Sequence, residues 1–271
     1  MKLRRDNKAA GSTLIELMMS LGIFSVAGGL IYASLNTATV LYAKNTSINT
    51  AHAQMIKALE RVTRDIHASA STPQLVDVNR ATITGPAAGI TIQPVTGGPF
   101  ALTSMSMLSG SGKVTILTGC APKPQVGQRV ICPAALVEDY ITTVAANTTN
   151  PLTQTDLTTA NSIWTTASLG TNLYYPVFIT NKSAYVVRGG ELRYYPISTG
   201  SSNDSYVVLA RGVTTPTPFT LVNTSSGAPA NTTIGATLAV NDPNFNQRGY
   251  QATDISVTFQ IPYRSRIATY P

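Results

Sequence analysis

The chain is poor in the residues that most chemistry needs. Its 271 residues hold only two cysteines, two histidines and one tryptophan. A metal site built on Cys120 and Cys132 lacks partners, because His52 and His67 lie far from that pair in sequence, so no metal or cofactor is expected. Charged residues make up 11% of the chain, against roughly 25% in an ordinary soluble domain. The formal net charge is +7, but Lys2, Arg4, Arg5 and Lys8 against Asp6 supply +3 of it, leaving +4 for the rest of the chain with no Lys/Arg cluster. A nucleic-acid footprint is therefore not supported. Neither H-E-x-x-H nor G-x-S-x-G occurs. Ser109-Gly110-Ser111-Gly112-Lys113-Val114 ends like a phosphate loop, yet it lacks both the Gly five residues before Gly112 and the Ser/Thr after Lys113. It reads as a flexible turn, and nothing in the sequence marks an enzyme.

What the chain does have is one long apolar run. From Leu17 to Ala43 there are 27 residues without a charged side chain, and LMMSLGIFSVAGGLIYASL (Leu17 to Leu35) is 19 residues of almost wholly apolar character. About 20 such residues let a helix cross the hydrocarbon core of a lipid bilayer. The basic head in front of the run stays in the cytoplasm by the positive-inside rule, which sends the C-terminal bulk to the other side. A cleaved secretory signal is the plain alternative. Against it stand the length of the run, the absence of an A-x-A site after it, and a carboxylate, Glu16, at its entrance.

The segment Gly11-Ser12-Thr13-Leu14-Ile15-Glu16, with its basic leader before and its apolar run behind, resembles the class III signal of type IV prepilins. That family includes type IV pilins and the pseudopilins of type II secretion and competence systems. The resemblance implies cleavage by a prepilin peptidase after Gly11, methylation of the new amino terminus at Ser12, and Glu16 as fifth residue of the mature chain. It further implies assembly with other pilin or pseudopilin subunits on an inner-membrane platform with its ATPase. Two features depart from the pattern: Ser12 stands where Phe is commonest, and Ala33 stands where major type IVa pilins carry proline. Gly28-Gly29 could soften the helix instead, since Gly costs about 1 kcal/mol against Ala in a helix interior.

Glu16 also has a physical argument of its own. An ionised carboxylate in a bilayer or an apolar filament core costs several kcal/mol unless it is compensated. Cleavage after Gly11 creates an amino group at Ser12, one helical turn away, on the same chain or a neighbour. In staggered parallel helices that pair is satisfied only at the correct axial register. The competing reading is local: Thr13-Leu14-Ile15-Glu16 fits the S/T-x-x-E capping box.

After the apolar run, Leu41, Ile48, Met55, Leu59, Val62 and Ile66 mark one face of a continuing amphipathic helix. Glu60 with Arg64, and Arg61 with Asp65, are spaced to pair on its exposed side. Asn45 to Thr50 is poor helix sequence and predicts a bend or fraying, and Ser71-Thr72-Pro73 predicts the stop. From Ser12 to Ser71 such a helix would be about 90 Å long, more than a globular domain of this size needs. His52 and His67 read as solvated helix residues.

The remainder reads as β. Pro176 to Ser198 contains three runs rich in Val, Ile, Tyr and Phe, separated by Asn181-Lys182 and Gly189-Gly190, and predicts an antiparallel meander. Further strands are expected at Gly89 to Gln93, Lys113 to Leu117, Arg129 to Ile131, Tyr206 to Ala210, Phe219 to Val222, Ala236 to Val240 and Asp254 to Ile261. The tracts Ala145 to Ser162, Thr199 to Ser205, Thr214 to Pro218 and Asn223 to Thr233 read as exposed loops. Asp242 to Asn246 alternates oxygen ligands as calcium loops do, but Gln247 occupies the sixth position and no Glu stands at the twelfth. An Asx-type turn fits it better. "AYVVRGGELRYYP" with the late "TDISVTFQIP" resembles minor pilins and minor pseudopilins of the J/W type.

In a compartment beyond the membrane Cys120 and Cys132 would be oxidised, closing a loop of 13 residues worth roughly 3 kcal/mol in the chain-entropy model. Two unrelated buried thiols are the alternative. The expected fold class is α+β: leader 1–11, transmembrane or filament-core helix 12–35, amphipathic continuation 36–72 and an extracytoplasmic β-rich head 73–271. The expected function is that of a minor pilin or pseudopilin. A major pilin is the alternative within the family. A single-pass anchored binding protein or enzyme is the alternative outside it, and it would keep an uncut N-terminus and be indifferent to Glu16→Ala.

Overall fold

A computed structural model describes residues 9–108, 110–119, 123–133, 137–161, 175–223, 232–241 and 255–263. Among the described residues there is one α-helix, α1 (Ala9–His67), and the elements after it are strands. The chain divides at Thr50/Ala51 into two compact units. The described part of the first is helix alone, and the second holds the last turns of α1 and every strand. This is the expected α+β class.

Helical hydrogen bonding runs unbroken through Asn45–Thr50, so the expected fraying there does not occur. Thr50 Oγ1 donates to the carbonyl of Thr46 at 2.8 Å, which satisfies the hydroxyl inside the helix rather than against it. The helix ends at His67, four residues before the expected stop. Ala70 N donates to Gln93 O at 2.7 Å, and Ser69 bridges to Pro94, so strand pairing claims the backbone before Pro73 can act.

The described residues of the head form three β arrays. β1 (Gln74–Val76), β2 (Gly89–Ile92), β9 (Ser183–Arg188), β10 (Glu191–Tyr195) and β11 (Val207–Arg211) form one antiparallel sheet in the order β1-β2-β9-β10-β11. β12 (Phe219–Asn223), β13 (Thr232–Val240) and β14 (Ile255–Tyr263) form a second. Bridges Ala87↔Phe219 and Val213↔Val240 tie the two together. Between β2 and β9 the chain builds a closed six-stranded barrel. It comprises β3 (Val95–Leu108), β4 (Ser111–Leu117), β5 (Arg129–Cys132), β6 (Val137–Ala146), β7 (Gln154–Thr159) and β8 (Pro176–Thr180), in the order β3-β4-β7-β6-β5-β8.

The expected strands are present within a few residues of their expected ends, but the meander at Pro176–Ser198 is only half right. β9 and β10 form the hairpin, with Gly189 at φ 61° and Gly190 at φ 75°. Both central residues of a type I′ turn need that left-handed backbone. Asn181 and Lys182 do not adopt it, since Arg80 is the single described non-glycine residue with positive φ. There the chain passes from β8 in the barrel to β9 in the sheet. The tract Ala145–Ser162, expected as an exposed loop, contains β7, whose Thr155, Asp156, Leu157 and Thr159 are buried. A threonine-rich strand buried on its barrel side has little apolar periodicity to display.

Packing joins the end of α1 to both sheets. Met55, Leu59, Val62 and Ile66 are buried, as their spacing predicts, whereas Leu41 is exposed. They share a core with Ile90, Tyr185 and Leu192 of the first sheet and Ile234, Leu238 and Ile261 of the second. Among the described residues neither the expected Glu60–Arg64 pair nor the expected Arg61–Asp65 pair is made: Arg64 Nε lies 3.5 Å from Asp65 Oδ1 instead, and Asp65 and Arg61 also meet tyrosines of the sheet. Tyr185 Oη donates to Asp65 Oδ2, and the Arg61 guanidinium lies 4.2 Å from the Tyr194 ring centroid. Burial first, and the Asp65 carboxylate second, push the Tyr185 phenol far above its usual range. Gly89 on β2 admits no side chain, since a Cβ would sit 2.5 Å from the carbonyl oxygen of Tyr185.

Two carboxylates are held below their ordinary pKa although burial acts against them. Asp204 receives hydrogen bonds from Thr199 and faces Arg80, and Asp156 is bonded by Asn147, Lys113 and Thr115. A depressed folded-state pKa contributes stability that is present above the unfolded value and lost as pH falls through the folded one. Stability of the head is thus expected to hold down to about pH 4, the ordinary Asp range, and to drop below it. Urea unfolding midpoints measured across this range check it, and in Asp204→Asn and Asp156→Asn the acid loss should shrink.

Candidate functional site: the N-terminal helix

The first part of α1 carries its apolar side chains in the open. Leu14, Ile15, Leu17, Met18, Met19, Leu21, Ile23 and Phe24 are all exposed, as are Leu30, Ile31, Tyr32 and Leu35 further along. Phe24 is 75% exposed, where an aromatic of that size is ordinarily buried. No residue of the most apolar window of this helix is buried. So large a continuous apolar surface is stable only against lipid or against other helices. The hydroxyl groups within it are satisfied locally: Ser20 donates to Leu17 O at 2.9 Å, Thr37 to Ala33 O at 2.9 Å and Thr39 to Asn36 O at 2.8 Å. Each therefore enters an apolar medium without an unmet donor.

Glu16 is exposed on this helix and has no ion-pair partner among the described residues. The helix begins at Ala9, so Thr13 lies inside it and not at its N-cap. The capping-box reading therefore does not apply to the uncut chain, because a box needs its Thr at the non-helical first position. Leu14 and Ile15 are exposed beside Glu16, and Gly11 and Ser12 lie within the helical span. Gly28 and Gly29 also sit inside continuous helix, with open space where a Cβ would be.

Cys132 is buried at the end of β5 in the barrel core, and Cys120 lies outside the described residues. The stretch Asp242 to Asn246 also lies outside them. His52 and His67 are exposed on α1, as expected. Among the described residues no group of three or more His, Cys, Asp or Glu side chains is placed to hold a metal.

The geometry thus defines a chain with a long exposed apolar helix and an antiparallel β head. Residues 6–32 match the family model of the prokaryotic N-terminal methylation motif. That motif, on a long apolar helix followed by antiparallel sheets, is similar to the N-terminal signal of type IV prepilin-like precursors. The match spans the leader and the start of α1, and the head lies outside it. No curated protein and no solved structure matches the chain. The motif implies processing by a prepilin peptidase and assembly with other pilin subunits.

Proposed function

We propose that the chain is a minor pilin or pseudopilin. Inserted with its head outside the cytoplasm, it is cut between Gly11 and Ser12, methylated at Ser12, and drawn from the membrane into a short filament. The observation that carries this reading is the methylation motif set directly on a fully exposed apolar helix. Thr13, Leu14 and Ile15 form the peptidase recognition segment. Residues 12–35 leave lipid for the filament core by packing against the same stretch of neighbouring subunits. Energy for that movement comes from an assembly platform and its ATPase, since this chain carries no phosphate loop of its own. In the oxidising compartment Cys120 pairs with Cys132.

Intact mass of the protein from native membranes tests the first step. The expected mass is that of a chain beginning at Ser12, with one added methyl group. A chain retaining residues 1–11 in cells with active prepilin peptidase would leave it an anchored protein that never enters a filament.

A further inference from the structure

The barrel is inserted between two strands that are neighbours in one sheet. β2 and β9 pair antiparallel up to Ile92↔Ser183, and Asn181 N donates to Pro94 O at 3.3 Å. A carbonyl accepting from the amide three positions onward is the closing bond of a β-turn. If everything between Pro94 and Asn181 were replaced by two residues, the remaining ends would already stand in hairpin geometry.

Other features separate the insert from the head. Its core, built on Val114, Ile116, Val130, Leu157, Val177 and Ile179, shares no residue with the core around α1. Each of its strands finds both ladder neighbours inside the barrel, so closure leaves no edge to extend the head sheets. Its described charges are largely settled internally, Lys113 with Asp156 and Arg129 with Glu138, while Asn161 caps Asp139. The junction itself is short. Val95 N donates to Ala68 O at 3.0 Å, and Gln93 Nε2 to Glu138 Oε1 at 2.8 Å.

We propose that Val95–Thr180 is a self-contained inserted module, dispensable for folding of the head and for entry of the subunit into a filament. Subunit assembly and the barrel's own role then belong to separate parts of one chain. The assembly half of this inference rests on the pilin-type reading, and the folding half does not.

The test replaces Val95–Thr180 in the full chain by Asn-Gly, and separately introduces Leu157→Ala in the barrel and Leu59→Ala in the head. Thermal unfolding in detergent should show two transitions in the intact chain. Leu157→Ala should lower one and Leu59→Ala the other, and the deletion should remove the first while leaving the midpoint of the second within a few degrees. A single transition lowered by both substitutions, or a deletion chain that does not fold, overturns the proposal. Filament entry is scored against the intact chain: equal recovery supports dispensability, and a folded deletion chain excluded from filaments that the intact chain enters overturns it. An intact chain that is never cut would count against the pilin reading alone, because the unfolding comparison would still decide the folding half.

Discussion

Glu16→Ala is expected to abolish entry of the mature chain into filaments while leaving cleavage before Ser12 and membrane insertion unchanged. The carboxylate stands alone on an exposed apolar surface, and the described residues supply it no ion-pair partner. Its proposed partner is the amino group that cleavage creates at Ser12. Removing one member of a desolvated ion pair costs about 3–5 kcal/mol, because the other charge is left uncompensated. At 1.4 kcal/mol per factor of ten, that is more than a hundredfold in the docking equilibrium. The measurement is the ratio of subunit in sheared filaments to subunit in membranes, with intact mass confirming the cut. Equal recovery of Glu16→Ala and the unsubstituted chain in filaments would remove Glu16 from assembly.

The second large effect is expected from Leu59→Ala, which should destabilise the head by about 2–5 kcal/mol, the range for truncating a buried Leu. Leu59 is 1% exposed and lies between Met55 and Val62, where α1 meets both sheets. The site has little freedom to collapse. Tyr185 is held to Asp65 and Tyr194 lies under Arg61, so the sheet residues opposite the helix are fixed by polar contacts as well as by packing. Denaturant unfolding of the head measures the loss. An equivalent truncation at exposed Leu41 should change stability by less than about 0.5 kcal/mol, which separates burial from helix propensity.

The helix and the methylation motif on it were legible in the sequence because both are written in local chemistry. Gly11 to Glu16, the charge-free run after Leu17 and the spacing of Met55, Leu59, Val62 and Ile66 each report a period or a motif within a few turns. Most strands were visible for the same reason, through β-branched and aromatic runs near glycine. Leu41 went the other way: it fits the same face by spacing, yet its side chain is exposed. Arg61 and Asp65 have the spacing of an exposed pair, but Asp65 meets Arg64 and Tyr185, and Arg61 lies over Tyr194.

Sequence alone determined the prepilin-type signal, the membrane-length helix and a β-rich head behind it. Tertiary structure alone decided that β8 leaves β9 to close a barrel, that the threonine-rich Gln154–Thr159 is a buried strand, and that the head's sheet resumes at Ser183 beside β2. The reason is that helix periodicity and signal motifs are set by residues near one another. Strand pairing is a choice among distant partners, and here it brings together residues as far apart as Gly89 and Val186. The turn between Thr180 and Ser183 shows the difference: its two residues suit a hairpin, and only the backbone they adopt reveals that the chain is changing sheets.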